Sequence, residues 1–208
     1  MKELQQIDRF EIRLSGTGGQ GLITLGRVLG HSLALGHGYN VTQTQSYGPE
    51  ARGGSSRADV VISSSAISFP KTENLDLLVA LSQPACNAYY RFLKRGGVLL
   101  VDSELVQHAP TNQFVGLPFT KLAKDKIGNE LTLNTIVLGA VTHLLAFAEP
   151  RIVRKSLEET LPPKIQALNV KAFNLGLREA KRHLGEAPKI WQTAAENGVE
   201  DEAEGFED

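Results

Sequence analysis

The sequence is short of cysteine, the residue that holds iron–sulfur clusters and many zinc ions. Its 208 residues include a single cysteine, Cys86, so the chain forms no internal disulfide and cannot by itself hold an iron–sulfur cluster or a cysteine-rich zinc site. The five histidines are scattered along the chain, without the spacing of a metal site. Any redox centre that this protein uses is therefore expected to lie in another chain.

The sequence also lacks an excess of charge and a long apolar run. With 22 Lys and Arg against 23 Asp and Glu, the net charge is −1, which gives no general attraction to nucleic acid or to anionic membranes. No apolar run reaches the ~20 residues of a membrane span. The first residues are polar and mixed in charge, unlike a signal peptide. We therefore expect a cytoplasmic protein that binds neither nucleic acid nor a membrane.

Several catalytic motifs are missing as well. There is no Gly-x-Ser-x-Gly turn, no His-Glu-x-x-His and no Gly-Lys-Ser/Thr phosphate loop. Cys86 is flanked by small apolar residues in a predicted helix, which is typical of a packed thiol rather than a reactive one. The length allows one well-buried domain, but the chain lacks the residues of a complete catalyst.

What the sequence does contain is a glycine-rich turn. Gly16, Gly18 and Gly21 fit the form Gly-x-Gly-x-x-Gly; residues 10–14 before it alternate like a strand, and residues 22–35 after it carry apolar residues at helical spacing. Such a turn lets backbone amides and the positive end of the helix dipole face an anion. Glycines also serve any tight strand-to-helix turn. The turn is a candidate phosphate site formed by Gly16, Thr17, Gly18, Gly19, Gln20 and Gly21.

The usual companion of this turn in a nicotinamide or flavin domain is missing. That companion is an Asp or Glu about 20 residues further on, at the end of the second strand, where it binds the ribose hydroxyls. Here the second predicted strand, residues 40–45, has no carboxylate. An ordinary dinucleotide site is thus disfavoured, whereas a site for another anionic ligand is not.

A second candidate loop, residues 46–54, follows this strand. The rule for open parallel sheets places it at the carboxyl ends of the strands, at the same edge as the glycine turn. Arg52 offers a planar fork suited to phosphate or carboxylate, Glu50 offers the opposite charge, and Tyr47 can stack on a flat ring or fill a partner's pocket. The alternative is an ordinary turn with a solvated Glu50–Arg52 pair.

The remaining pattern predicts an α/β fold: a Rossmann-like, mostly parallel sheet with helices on both faces and a short β-hairpin insertion. The hairpin is expected to pair residues 58–63 with 66–70. Further strands are predicted at 75–81, 98–102 and 114–119, and helices at 84–93, 134–147, 151–161 and 164–182. The domain is expected to span residues 9–184, after an extension at 1–8. Residues 185–208 carry eight acidic side chains against Lys189 alone, so we expect an acidic, disordered tail.

These residues resemble a known family. The glycine turn, the loop Gln45-Ser46-Tyr47-Gly48-Pro49-Glu50-Ala51-Arg52-Gly53-Gly54 and the segments 59–63, 76–80, 134–140 and 174–176 resemble the gamma subunit of 2-oxoacid:ferredoxin oxidoreductases. The resemblance covers roughly residues 9–180. Within the family, the sequence of the second loop is similar to that of 2-oxoglutarate enzymes (2-oxoglutarate synthase).

The resemblance implies a function shared with other subunits. The family decarboxylates a 2-oxoacid on thiamine diphosphate, passes electrons through iron–sulfur clusters to ferredoxin and releases an acyl-coenzyme A. The thiamine and cluster sites belong to alpha, beta and, where present, ferredoxin-like delta subunits, and the gamma subunit helps to form the coenzyme A site and is not active alone. Carried onto this chain, that role falls on the glycine turn, Gly16 to Gly21, and on Tyr47, Glu50 and Arg52.

Three alternatives stay open at this point. The chain is an assembly subunit without ligand contact, or its complex acts on pyruvate or a branched-chain 2-oxoacid, or it is an independent nicotinamide or flavin oxidoreductase supported by the glycine turn alone. Self-association of the isolated chain, through the face of Gly26 and Gly30 or through the helix at 134–147, is also an expectation.

Overall fold

The computed structural model describes residues 4–47, 55–111 and 114–185; for Tyr47 and Ser55 it describes the backbone alone. Within these ranges the strands are β1 Phe10–Thr17, β2 Asn40–Tyr47, β3 Ser55–Ser63, β4 Leu75–Ala80, β5 Leu93–Asp102 and β6 Phe114–Leu117. The α-helices are α1 Leu22–His31, α2 Gln83–Tyr89, α3 Phe119–Leu122, α4 Leu133–Leu144, α5 Pro150–Thr160 and α6 Pro163–Leu184.

The strands form one sheet in the order β2-β3-β1-β4-β5-β6. β3 is antiparallel to both of its neighbours, β1 and β2, whereas β1, β4, β5 and β6 pair in parallel. Five strands therefore run in one direction and β3 runs against them. The predicted α/β fold with a mostly parallel sheet is confirmed.

The antiparallel hairpin lies elsewhere than expected. It is formed by β2 and β3, and the predicted strand at residues 66–70 is wrong, because this segment is an irregular loop. β3 is already paired along both edges, so no edge is free for a further strand. The loop is held instead by Arg9, whose guanidinium donates to the carbonyls of Phe69 at 2.9 Å and Lys71 at 2.8 Å.

Helices cover both faces of the sheet, as predicted. The larger core lies between one face and α1, α4, α5 and α6, and includes side chains such as Leu14, Leu29, Ile136 and Phe173. The smaller core lies on the other face, where Cys86 of α2 packs against β4 and β5. β4 and the second half of β5 contribute apolar side chains to both cores, which is typical of parallel strands covered on both faces.

Two element boundaries differ from the predictions in an informative way. The predicted helix 84–93 ends earlier, with α2 stopping at Tyr89 and one 3₁₀ turn spanning Tyr90–Phe92. Leu93 then opens β5, opposite Leu75. α1 in turn continues beyond His31 as a π-helical turn, Ser32–Gly36, which ends where the predicted helix ends.

The predicted burial of α4 is confirmed, and its neighbour α6 makes that burial possible. Ten of the twelve residues of α4 are buried. Gly139 of α4 faces the backbone of α6, and Gly176 of α6 faces the carbonyl of Ile136, so that a Cβ at either glycine would overlap backbone atoms. Beside this contact, Thr135 Oγ1 donates to Asn169 Oδ1 at 2.6 Å. The two helices are therefore packed backbone to backbone.

The surfaces expected to support self-association are covered within the chain. A Cβ at Gly26 would lie 3.1 Å from the Cβ of Ala58, and one at Gly30 would lie 3.6 Å from Val41, so this face of α1 packs on β3 and β2. α4 is buried as described above. Neither element offers an open surface to a second copy. Among the helices described, none is both long and apolar enough to cross a membrane.

The α4–α6 contact predicts a large stability difference between two glycine substitutions. We expect Gly176→Ala to lower the free energy of unfolding by about 2–3 kcal/mol, because the new methyl group forces the two backbones apart. Gly30→Ala is the matched control: its methyl group meets an ordinary contact at 3.6 Å, so we expect a neutral or stabilising effect of up to about 1 kcal/mol. Urea unfolding of the isolated chain measures both. Equal stabilities would show that the helices are not in backbone contact.

Candidate functional site

The sheet has one point at which its connections diverge. The chain leaves β1 through α1 toward β2 at one edge of the sheet, and leaves β4 through α2 toward β5 on the other side. In open α/β sheets, ligands bind in the crevice at such a point, outside the carboxyl ends of the strands. Here the crevice lies between the end of β1 and the end of β4. The predicted glycine turn is located at this place.

The glycine turn joins β1 directly to the start of α1. Thr17, Gly18 and Gly19 are exposed, and Gly19 and Gly21 have φ angles of 92° and 71°, which favour glycine. Gly21 is the N-cap of α1; no side chain caps the helix, and its first turn carries no acidic residue. The positive end of the α1 dipole therefore faces the crevice without a neutralising side chain.

Gln20 fills part of this turn with its own side chain. Its Oε1 accepts the N–H of Thr17 at 2.8 Å, and its Nε2 donates to the carbonyl of Leu81 at 3.0 Å. The side chain thus spans the crevice from β1 to the residue after β4. Gly16 makes this conformation possible, because a Cβ there would overlap Gln20 Oε1.

A second side chain holds the turn from the helix layer. Asn134, at the start of α4, donates from Nδ2 to the carbonyl of Gly21 at 3.2 Å. A Cβ at Gly21 would overlap that amide, so the contact requires glycine on steric grounds as well as for its φ angle. Asn134 therefore lines the crevice from the start of α4.

The second candidate loop begins at the same edge. Ser56 of β3 pairs with Gly16 on one side and with Tyr47 on the other, so the end of β2 lies level with the glycine turn, two strands away. This agrees with the expected placement. The side chain of Tyr47, together with Glu50 and Arg52, lies outside the described residues, and the role of these three residues stays a prediction.

The strand order bears directly on the dinucleotide alternative. In a nicotinamide domain, the strand that carries the ribose carboxylate is the neighbour of the first strand. Here the neighbour is the antiparallel β3, and β2 lies beyond it, about 10 Å from β1 at the usual strand spacing. The glycine turn is therefore not part of a standard nicotinamide site.

One cluster near the site was not found from the sequence. Arg13 of β1 and Asp59 of β3 form two hydrogen bonds of 2.8 Å, and each residue is only 4% exposed. Thr72 contacts both partners, and the Arg13 guanidinium lies 4.8 Å from the ring centre of Tyr89. In the sequence the pair appears only as one basic and one acidic residue within two predicted strands, and the register that places them opposite each other is not visible there. The pair joins β1 to β3 on the face of the sheet opposite α1.

Two other buried titratable groups among the described residues, Cys86 and Asp102, have structural roles. Cys86 is fully buried, and this burial raises the pKa of its thiol, which favours an unreactive packed side chain. Asp102 accepts hydrogen bonds from the backbone and hydroxyl of Thr120 and so anchors the start of α3. In the part of the chain that the structure describes, no group of three or more His, Cys, Asp or Glu is arranged to hold a metal ion.

These features define a class of protein: an α/β domain in which a glycine turn and the uncapped start of α1 lie at the divergence point of the sheet, and in which the described residues hold no group of metal ligands. The comparisons with known proteins specify the class. The chain belongs to the pyruvate ferredoxin/flavodoxin oxidoreductase family, whose model matches residues 11–179. The resemblance inferred from the two loops is thereby confirmed.

Individual relatives agree with this assignment. The chain is 40% identical to the 2-oxoglutarate synthase subunit KorC of Methanothermobacter thermautotrophicus, over 81% of this chain and 93% of that protein. It superposes with a TM-score of 0.78 and 37% identity on the gamma subunit of a keto/oxoacid ferredoxin oxidoreductase from Geobacter sulfurreducens, covering 85% of this chain and 99% of that one. The prediction that the chain is an oxidoreductase subunit of the gamma type is confirmed.

A more distant structure shares the fold. The 2-oxoglutarate:ferredoxin oxidoreductase of Magnetococcus marinus, solved with 2-oxoglutarate, coenzyme A and succinyl-CoA bound, superposes with a TM-score of 0.75 at 22% identity. The match covers 85% of this chain and 32% of that larger one. The same fold thus occurs both as a separate subunit and as part of a longer polypeptide.

The internal hydrogen bonds of the glycine turn predict an energetic coupling between two residues. We expect Gly16→Ala to destabilise the wild-type chain, because the methyl group displaces Gln20 and breaks its two hydrogen bonds. In a Gln20→Ala background the same change leaves only a 3.2 Å approach to Leu81 Cβ, and its cost should fall by about 1 kcal/mol. Urea unfolding of the four proteins of this cycle measures the coupling. Strictly additive effects would contradict the arrangement of Gln20.

Proposed function

We propose that the complex of this gamma subunit oxidises 2-oxoglutarate and that this chain forms part of its coenzyme A site. The substrate proposal is supported by the 40% identity to a 2-oxoglutarate synthase subunit over almost its whole length. It is also supported by the second loop, whose residues resemble those of 2-oxoglutarate enzymes. We also propose that the family domain spans residues 9–184.

The observation that carries the coenzyme A proposal is the position of the glycine turn. It lies at the divergence point of the sheet, where the start of α1 faces the crevice without a capping side chain. Phosphate groups are favoured at such helix starts, and coenzyme A carries several. The second loop starts at the same edge, and Arg52 would supply a cation for the same ligand.

The remaining cofactors are assigned to partner subunits. Thiamine diphosphate and iron–sulfur clusters are placed in the alpha and beta subunits and, where one exists, in a ferredoxin-like delta subunit, with ferredoxin as the electron acceptor. The described residues do not fit a cluster, since Cys86 is fully buried and no group of metal ligands is present among them. This chain would thus contribute to the transfer of the acyl group, by binding and orienting the coenzyme A that receives it.

A second candidate function is assembly alone. It is favoured by one specific observation: Gln20 and Asn134 hold the glycine turn through internal hydrogen bonds, so its shape does not require a ligand. In this case the two loops would pack against partner subunits. A change in the second loop would alter the KM for coenzyme A if the loop binds this ligand, and the yield of complex if the loop serves assembly.

The substrate is tested on the complex purified under anaerobic conditions through a tag on this chain. We expect viologen reduction that requires coenzyme A, with a kcat/KM for 2-oxoglutarate at least about tenfold above that for pyruvate or a branched-chain 2-oxoacid, a difference of about 1.4 kcal/mol in transition-state binding. Each acid is assayed with and without coenzyme A. A preference for one of the other acids would overturn the substrate proposal and leave the family assignment intact.

The coenzyme A contact is tested by Arg52→Ala in the assembled complex. We expect the KM for coenzyme A to rise about tenfold or more, because a hydrogen bond between charged groups is lost, while the yield of complex stays unchanged. Arg57→Ala is the control: this arginine lies at the same edge, but its guanidinium is already engaged by Asp59 at 3.7 Å and by the ring of Tyr89. We expect it to leave this KM unchanged.

The two functions give opposite results in this experiment. If Arg52→Ala lowers the yield of complex and leaves the KM for coenzyme A unchanged, the second loop serves assembly and the coenzyme A proposal is wrong.

A further inference from the structure

A groove of about 500 Å³ runs between α6 and the π-helical turn Ala123–Ile127, which follows α3, and none of its lining residues belongs to the glycine turn. Its floor is apolar and includes Ile127, Val170 and Leu175. Asn174, which begins the segment 174–176 that resembles the family, also lines this groove. The proposed coenzyme A site does not include this groove.

The rim of the groove is positively charged. Lys126, Lys171 and Arg178 line it, and all three are exposed. Lys171 and Arg178 are seven residues apart on α6, two helical turns, which places both on one face of the helix. Arg178 has an acidic neighbour in Glu179, 4.0 Å away, but none of the residues that line the groove is acidic. An anionic segment with apolar side chains would match both the rim and the floor.

The chain itself contains such a segment. Residues 186–208 belong to the tail for which the sequence predicts disorder, and they lie outside the described residues. They carry eight acidic residues against Lys189 alone, a charge of −7. Seven of the eight lie within residues 196–208, and the apolar pair Ile190 and Trp191 precedes them. The segment therefore combines apolar side chains with strong negative charge, in that order along the chain.

The segment begins close enough to reach the groove. α6 ends at Leu184, and the carbonyl of the next residue, Gly185, accepts a hydrogen bond from His143 Nε2 at 3.0 Å. Arg178 lies seven residues before Gly185, about 10 Å back along the helix at 1.5 Å per residue. Trp191 lies six residues after Gly185, a reach of up to about 20 Å in extended chain. The acidic residues that follow can extend further along α6, past Lys171.

We propose that the acidic C-terminal segment, residues 186–208, binds in the groove formed by α6 and the π-helical turn Ala123–Ile127. Ile190 and Trp191 pack on the apolar floor, and the acidic residues beyond them pair with Lys126, Lys171 and Arg178. The association is intramolecular, so the short connection through Gly185 gives it a high effective concentration. The partner of this basic surface is thus a segment of the same polypeptide.

The test uses the fluorescence of the full chain, since Trp191 is its only tryptophan. We expect the Trp191 emission to be shifted to the blue, and its quenching by acrylamide to be weaker, relative to a synthetic peptide of residues 185–208. The variant K171E/R178E should show the emission and quenching of the peptide. Salt at about 1 M, where the Debye length is ~3 Å, should move the wild type toward the same values.

Two further variants make the test specific. R151E/R154E reverses two exposed charges on α5, away from the groove, and should behave like the wild type. Adding E200K/E204K to K171E/R178E should restore the blue-shifted emission, because the charges are exchanged across the contact. Circular dichroism confirms that each variant is folded.

Three results would overturn the proposal. The first is a wild-type emission equal to that of the free peptide. The second is a blue-shifted emission that K171E/R178E leaves unchanged, which would place Trp191 on another surface. The third is an emission shift that appears only as the protein concentration is raised, which would make the occupant a second copy of the chain.

Discussion

The position of one antiparallel strand determines most of this structure. β3 lies between β1 and β2 and pairs with both along their full length. The chain passes from β1 through α1 to β2 at the edge of the sheet, and β3 then occupies the position between β2 and β1. The next strand, β4, therefore pairs with the other side of β1. The divergence of connections beside β1, and hence the crevice, follows from this insertion. The same insertion sets the ends of β1 and β2 level with each other, because Ser56 of β3 pairs with both Gly16 and Tyr47. The Arg13–Asp59 pair supports the insertion on the face away from α1.

The helix layer contributes the second constraint. α4 carries Asn134 at its start, where it contacts Gly21, and Gly139 in its middle, where it meets the backbone of α6. Because Gly139 lies five residues after Asn134, about 7.5 Å along α4, the backbone contact between α4 and α6 also fixes the position of Asn134. The glycine turn is therefore held by the sheet through Gln20 and by the helices through Asn134.

Local features of the structure were predictable from the sequence, and long-range ones were not. The strand, turn and helix around Gly16 to Gly21, the burial of α4 and the helices on both faces follow from residue spacing. The pairing of β3 does not: residues 66–70 have the composition of a strand, but whether an edge is free for them depends on which strands meet in space. The register that places Arg13 opposite Asp59, and the backward turn of the Gln20 side chain, are equally invisible in a linear pattern. The nature of the function required the family resemblance, since the residues alone indicated only an anion site.

The conformation of Gln20 has a consequence for any ligand of the glycine turn. A phosphate that uses the Thr17 amide must first displace the Gln20 oxygen, so binding exchanges one hydrogen bond for another instead of adding one. The free energy gained at this amide is then only the difference between a charged and a neutral acceptor. The same side chain donates to the carbonyl of Leu81, so moving it away would also leave this carbonyl at the end of β4 without the hydrogen bond from Gln20. An anion that binds at this amide would therefore have to be a stronger hydrogen-bond acceptor than the Gln20 side-chain amide.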